Sequence, residues 1–560
     1  LAGIAQDMLD RLAQLSSDRS GFEAVWDQVD AVAATHAAPG GYGNGQTNSG
    51  LAPAVPHAAL RSKKLYDSTG INCVDRLGSG IEALIIPQSE FWHELGISSL
   101  QRGRRSLQDS ELAWLEDQRN LLFEVRYDAD SGWVSATQAA IRGCISHGTG
   151  LIWSEEGFDN RAFIEYRFLP LRECYLAQDF RGIVNCFYRY YTLTAEQAAL
   201  RFGDRCPAKI KEAANVATTK DKQFRFVQAV SPRGDYGYSS GIQHSRFRSV
   251  HIAEEEKQVC EEKGFYEFPV TDFRWLPEGG QVWGEGPVMK VLSDIQSLQV
   301  MARNELLAGE QSVRPPLLVA NAGVMNRPNS TPGAQILGGI NAQGQRMVDT
   351  LFNGQRLDFA TMVLEAKRNQ VKESMYLNLF ALLVQNPQMS ATEALIRANE
   401  KGELLGPAGS RLQQSLSRLV DRELNILIRK GLYDANSDYR VPEGLQGKTV
   451  QPQMTGPLNR LRKAKETEGT LRLLEAVTPL AAVEQEVVDN FDADETVRAL
   501  REGFGAPIRV LRDPKVVAQR RAARQQTQAM ANNAAIAKDM AAAGKQTTDA
   551  IAGMKQAGVF

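Results

Sequence analysis

The sequence predicts an α+β protein, mainly α, and three observations carry that expectation. Apolar residues recur every three or four positions over most of both ends of the chain. They alternate in a middle block, and runs rich in glycine and proline separate the two patterns. At 560 residues the chain is long enough for several cores, since one domain ordinarily takes about 100–200 residues.

Taken in order, residues 4–35 have helical spacing (Ile4, Met8, Leu12, Leu15, Phe22, Val25, Trp26, Val29), and "APGGYGNGQTNSGLAPAVP" then reads as a loop. Residues 61–126 return to helix: "DSTGINCVDRLGSGIEALIIP" opens on Asp67 and Ser68 as caps and stops at Pro87, and "DSELAWLEDQRNLLFEVRY" is a second amphipathic stretch. "GWVSATQAAIRGCISHGTGLIW" predicts a third helix that runs into a strand. Between 150 and 285, "RAFIEYRFLP", "ECYLAQDF" and "GIVNCFYRYYTL" alternate as half-buried strands do.

Residues 286–319, "GPVMKVLSDIQSLQVMARNELLAGEQSVRPPLLV", predict one long helix. Its stripe is Val288, Val291, Ile295, Leu298, Ala302 and Leu306, with Val300 and Met301 off it; it is capped near Gly309 and stopped by Pro315 and Pro316. Residues 313–357 are short, glycine-rich and strand-like. Two more helices follow, on either side of the turn "VQNPQM", and Gly402, Gly406, Pro407 and Gly409 predict that the second bends or breaks. "PLNRLRKAKETEGTLRLLEAVTPLAA" and "DADETVRALREGFGAP" are helical from 456 onward. Beyond Asp513, seven basic residues face two aspartates, a net charge of +5, in a basic helix or a disordered tail.

Composition narrows function. A net charge of −2 gives no global pull toward nucleic acid or membrane. Six cysteines without a CxxC pair read as reduced core thiols of a protein assembled in a reducing cytosol, and His244 and His251 lack the partners of a zinc site, so no metal and no cofactor is expected. No run reaches membrane-spanning length, and Asp7, Asp10 and Asp18 stand where a signal peptide is basic and then apolar; a secreted or embedded protein is not expected.

Catalytic motifs fail on inspection. Gly447-Lys448-Thr449 ends like a phosphate-binding loop, but Pro442 stands where the first glycine is required, and Pro452 follows where a helix is needed. "DNFDADET" (489–496) has Asp494 and Leu500 where a calcium loop needs glycine and glutamate, so its aspartates read as helix caps. Gln223-Phe224-Arg225-Phe226 reads as a strand with one wet face. No catalytic residue is assigned, and no enzyme is expected.

The order of these stretches resembles the portal (head-to-tail connector) proteins of tailed bacteriophages, most closely those of short-tailed, T7-like phages. "LYDSTGINCVDRLGSGIEALIIPQSEFWHEL", "VWGEGPVMKVLSDIQSLQVMARNELLAGEQSVRPPLLV", "SATEALIRANE" and "VVDNFDADETVRALREGFGAP" carry it, over about residues 60–530. The resemblance implies a portal fold of wing, stem, clip and crown that assembles into a closed ring, usually of twelve subunits. Residues 1–286 would be the wing, 287–312 the first stem helix, 313–357 the clip, 358–382 the second stem helix and 383–390 the tunnel loop. Residues 391–455 would hold the long kinked helix, 456–513 the crown and 514–560 the tail, a helical barrel or disordered.

It further implies Gln385, Asn386, Gln388 and Met389 facing double-stranded DNA, although the sequence alone reads that turn as an ordinary helix connection. Arg314, Arg327 and Arg346 would dock the packaging motor or a tail adaptor, or else be solvated rim charges. The implied partners are copies of the chain itself, the terminase large subunit, a tail adaptor, the major capsid and scaffolding proteins and the DNA, with no membrane. The implied place is the portal vertex of the virion after assembly in the host cytoplasm. Two other readings stay open: another virion part, such as a tail adaptor or internal head protein, and a nucleotide-dependent enzyme.

Overall fold

Helix α1 (Ala2–Val32) carries the first stripe onto a sheet. Its Ala5, Leu12 and Leu15 are buried with Tyr175, Tyr188, Val227, Val250 and Ile252, while Trp26 joins Leu151, Phe187, Val230 and Trp283. Arg19 is buried between these clusters and fully engaged. Its Nε donates to Glu23 (2.8 Å), Nη1 donates to the Leu171 carbonyl (3.0 Å), and its guanidinium lies over the Tyr175 ring (3.7 Å). A charge is tolerated there because it is paired and hydrogen-bonded.

Helix α2 (Thr69–Ile85) starts on Asp67, not on both predicted caps: Asp67 Oδ1 accepts from the Thr69 N–H (2.8 Å), and the Ser68 side chain makes no cap bond. Strand β1 (His93–Ile97) interrupts a region predicted as helix throughout. Helices α3 (Asp109–Arg126) and α4 (Trp133–His147) match expectation. Gly148 (φ 76°) ends α4 and turns the chain straight into the sheet. A Cβ there would run into the Gly284 carbonyl oxygen, so glycine is needed for space as well as for φ.

The alternating block folds as two antiparallel sheets. In the first, β2 (Thr149–Glu156) lies between β3 (Ile164–Leu169) and a later strand. The second is a meander of β4 (Cys174–Gln178), β5 (Val184–Thr194), β6 (Gln223–Pro232), β7 (Phe247–Ala253) and β8 (Gln258–Phe265), each strand pairing with its neighbour in the chain. Two short helices that the sequence reading missed, α5 (Ala195–Phe202) and α6 (Ala208–Asn215), fill the connection between β5 and β6. Helix α5 begins in a capping box between Thr194 and Gln197. Strand β9 (Val270–Arg274) then returns to pair with β2.

The predicted long helix is two. A single turn, α7 (Pro287–Lys290), is offset at Val291 from α8 (Leu292–Val313), and nothing in the packing accounts for the offset. Gly309 does not cap α8; the helix runs through it to Val313. A ribbon of β10 (Leu317–Val319) and β11 (Val348–Thr350) follows, and then α9 (Leu357–Ser374). Helix α9 is interrupted at Met375 and Tyr376, where Tyr376 adopts a left-handed φ of 59°, and Leu377 is helical again; residues 378–382 lie outside the described residues.

Of the predicted bend or break, the break is absent: helix α10 (Ala391–Arg429) runs unbroken with Pro407 inside it. Proline removes one hydrogen bond and crowds the preceding turn. The following turns are held by Leu412, Leu416, Leu419, Val420 and Leu427, all buried.

Glu423 of α10 closes a buried clasp. It pairs with Arg126 and accepts from the Tyr166 hydroxyl (2.5 Å), while Arg126 lies over the Trp92 ring (4.6 Å) and contacts His93 Nε2 (3.1 Å). Burial first, and then the charge of Arg126, holds His93 neutral.

Strand β12 (Val450–Met454) pairs with β1 and directly follows Gly447-Lys448-Thr449, so the helix a phosphate loop requires is replaced by a strand. Helix α11 covers 469–479. Helix α12 (Ala493–Phe504) is capped as predicted by an aspartate: Asp492 Oδ1 accepts from the N–H groups of Asp494 (3.0 Å) and Glu495 (3.1 Å). The basic tail is one helix, α13 (Pro514–Gln556), joined to α12 through Arg521 and Asp494 at 2.7 Å.

The computed structural model describes residues 2–33, 65–98, 107–157, 161–233, 245–313, 317–319, 343–350, 357–377, 391–433, 439–456, 469–479, 492–504, 510–512 and 514–556. Leu1–Gly96, Gln118–Arg440 and Val450–Arg462 form one compact unit; Ile97–Asp117, Val441–Thr449 and Lys463–Phe560 form another.

Candidate functional site

The feature that stands out in the first unit is an arm made of α8 and α9. The two helices run antiparallel: Asp294 pairs with Lys367 (2.6 Å), Leu298 packs on Leu364, and the Thr361 hydroxyl donates to Glu305 (2.8 Å). Leu298, Ala302 and Leu364 are buried between them, with Met301 half-buried against that core. At an ideal rise of about 1.5 Å per residue, α8 is roughly 33 Å long.

The foot of the arm is locked to the start of α2. Gln299 Oε1 accepts from the backbone N–H groups of Tyr66 (2.8 Å) and Asp67 (3.0 Å), and its Nε2 donates to the Asp67 carbonyl (2.5 Å). Arg368 of α9 pairs with the Asp67 carboxylate (2.7 Å). Burial pushes the Asp67 carboxyl up, but hydrogen bonds from Thr69 and the charge of Arg368 outweigh it and hold the group below its ordinary value.

Several apolar side chains of the arm are exposed, among polar ones such as Arg303, Asn304 and Glu310. On α8, Val300, Leu306, Leu307 and Val313 are 58%, 61%, 45% and 82% exposed; on α9, Phe359 and Met362 are 67% and 73% exposed, and Val363 is exposed too. Leu306 therefore leaves the buried stripe it was predicted to share with Val288, Val291, Ile295, Leu298 and Ala302. It extends a second face, on which Val300 had already stood out.

Of the residues assigned from sequence, Arg346 is exposed just before β11. Arg314, Arg327, Gln385, Asn386, Gln388 and Met389 lie outside the described residues, as does His244. Sequence reasoning passed over Phe359 and Met362. The available signal was their spacing of three on a helix in which Leu364 and Val371 form a separate buried stripe.

The thiols are inert. All six are free, and burial pushes Cys73 to about 11 and both Cys174 and Cys260 to about 12, so they stay protonated. Among the described residues no group of three or more His, Cys, Asp or Glu is placed to hold a metal ion, and no helix is long and apolar enough to cross a membrane.

The arm is locked at its foot and carries exposed apolar side chains along both helices. The family model described as bacteriophage head to tail connecting protein matches residues 5–511, and the chain belongs to that family, which is structural and non-enzymatic. It is similar to a probable portal protein of Bordetella phage BPP-1, 24% identical over 94% of this chain and 92% of the relative. It is equally similar to a portal protein of Salmonella phage epsilon15, 24% identical over 89% and 87%. A solved structure, described as the virion of a native gene transfer agent particle, aligns at 10% identity over 68% of this chain and 90% of that one, with a TM-score of 0.30. The family match and the two phage relatives show a portal protein, without the finer T7-like assignment.

Proposed function

We propose that the chain is the portal subunit of a tailed phage, one copy of a closed ring at a capsid vertex through which double-stranded DNA enters and leaves the head. The observation that carries this reading is the family match across residues 5–511, with portal relatives aligned over about nine-tenths of both chains.

The arm supports it physically. A closed ring is built from head-to-tail contacts, in which one surface meets a different surface of the next copy. Side chains such as Phe359 and Met362, exposed in the subunit, are then covered by a neighbour. On this reading α8 and α9 are the stem, residues 313–357 the clip and 383–390 the loop that touches DNA, while α12 belongs to the crown. A near-neutral chain suits a conduit, because fixed phosphate contacts release counterions, bind tightly and slow sliding.

The partners that follow are terminase, a tail adaptor, and the capsid and scaffolding proteins, with Arg346 an exposed charge at the clip end of the arm. Negative-stain images of the purified full-length protein test the reading: rings with a central hole are expected. Monomers at every concentration tried would overturn it.

A further inference from the structure

One face of the five-stranded sheet carries two apolar clusters with a polar strip between them. Phe187, Val230 and Phe247 occupy one end, and Phe226, Ala253 and Cys260 the other. Between them the strand register sets Arg189 opposite Gln228, Gln228 opposite His251, and His251 opposite Glu261, so one polar row crosses four strands. Ser249 and Lys263 form the next row. This strip is not a wet surface: Ser249 is 1% exposed, His251 3% and Gln228 8%.

Trp153, Glu155 and Arg167 from the other sheet and Arg201 from α5 close a pocket over the strip. Its cations can be accounted for one at a time. Arg167 pairs with Glu155 (3.3 Å), Arg189 with Glu173 (2.8 Å) and Lys263 with Glu261 (3.2 Å). Arg201 has no carboxylate partner among the described residues, and its polar neighbour is His251 Nε2 at 3.5 Å. That ring supplies no negative charge, since burial and the surrounding cations keep it neutral, and its Nδ1 is already engaged with the Tyr191 hydroxyl (2.7 Å). Arg201 is exposed at the mouth of the pocket, where its guanidinium faces water rather than a carboxylate, and Glu261 Oε2 lies 3.9 Å from His251 Nε2.

A second observation points the same way. Ser249 Oγ is buried, lines the pocket and has no hydrogen-bond partner. A buried hydroxyl left unmatched is costly, and nearly all such groups find an acceptor, a donor or a water. The cavity is about 30 Å³, and one water needs about 10–15 Å³ by the same kind of measure. It therefore has room for the head of a small ion and not for a nucleotide or a sugar.

We propose that this pocket binds a small oxyanion, with phosphate-type or carboxylate-type oxygens, held by Arg201, Lys263 and the Ser249 hydroxyl. An anion there pairs with the Arg201 guanidinium and gives the serine its acceptor. The inference rests on the five-stranded sheet and α5 and stands or falls independently of ring formation.

The test is calorimetric titration of the purified full chain with sodium phosphate and, separately, with sodium acetate, each against sodium chloride of equal ionic strength. Saturable binding at one site per subunit is expected for at least one of the two, and the tighter one identifies the head group. Arg201→Gln should weaken it about tenfold or more, because it removes a charge-assisted pair. Ser249→Ala should weaken it several-fold while leaving the thermal midpoint of the unliganded protein unchanged or raised, because it removes a hydroxyl that nothing else satisfies. A polar strip filled only by water predicts no saturable binding of either anion, and that result overturns the proposal. So does binding that neither substitution changes.

Discussion

Replacing Phe359 and Met362 together with serine tests the arm as an assembly surface. Both side chains are mostly in solvent in the subunit, at 67% and 73%, so the double variant should fold normally and keep its circular dichroism spectrum and urea midpoint. Fully burying a side chain of this kind stabilises by about 1.5–3 kcal/mol. The exposed parts of these two amount to roughly one and a half side chains, so covering them in a neighbour contributes about 2–4 kcal/mol per subunit contact.

Each 1.4 kcal/mol is a factor of ten, so every contact in a ring should weaken by roughly 30- to 1,000-fold. Sedimentation velocity over a concentration series is the assay: the transition from single subunits to rings should move to much higher protein concentration. If the variant forms rings at the same concentration as the parent, this face is not buried between copies, and the reasoning from exposure to assembly fails.

Four further outcomes are expected. Glu423→Ala leaves Arg126 buried without its partner and should destabilise the first unit by about 3–5 kcal/mol, read as a fall in the urea midpoint; an unchanged midpoint would show that Arg126 is not a buried unpaired charge in the variant. Asp67 has a depressed carboxyl, so its stabilising contribution is complete above the unfolded value near 3.9 and is lost as pH falls through the lower folded value. Asp67→Asn should therefore lower stability at neutral pH and flatten the acid limb of the stability curve, and a curve parallel to the parent's would refute the assignment. Gly148→Ala should lower the thermal midpoint, through a left-handed φ that costs about 1–2 kcal/mol and a collision with the Gly284 carbonyl. Deleting residues 384–389 should leave rings intact and impair DNA packaging or retention; normal packaging would remove the tunnel-loop assignment.

The sequence made local patterns readable and distant partners invisible. The helices of residues 2–32, 109–126 and 133–147, the meander and the aspartate cap of α12 all follow from spacing within a few residues. Strand β1 escaped because only its pairing with β12, more than 300 residues away, makes five residues a strand. Helices α5 and α6 escaped because eight residues are too few to show a period inside a β-rich block. Pro407 does not break α10, because burial along the following turns compensates for the bond it removes.

For the arm, periodicity identified the stripe at Ile295, Leu298 and Ala302, yet it put Leu306 on the same stripe, since spacing does not reveal where a covering element ends. The clasp of Arg126 with Glu423, 297 residues apart, left no local trace at all. The oxyanion pocket was equally hidden, because its row of residues is assembled by strand register and not by proximity in the chain.

That clasp also sets an order of events during synthesis. The meander joins strands that follow one another, and such pairings close early and quickly, because little chain must be looped to make them. Arg126, which lies among Trp92, Phe123 and Trp133 in the finished fold, is made long before Glu423, and a nascent chain that has not yet reached α10 lacks the carboxylate that lets this charge be buried. The first unit therefore cannot be finished from its N-terminal half. The clasp closes only after the arm-bearing segment between residues 286 and 377 has been made and passed over, so no chain has a finished first unit before its arm exists.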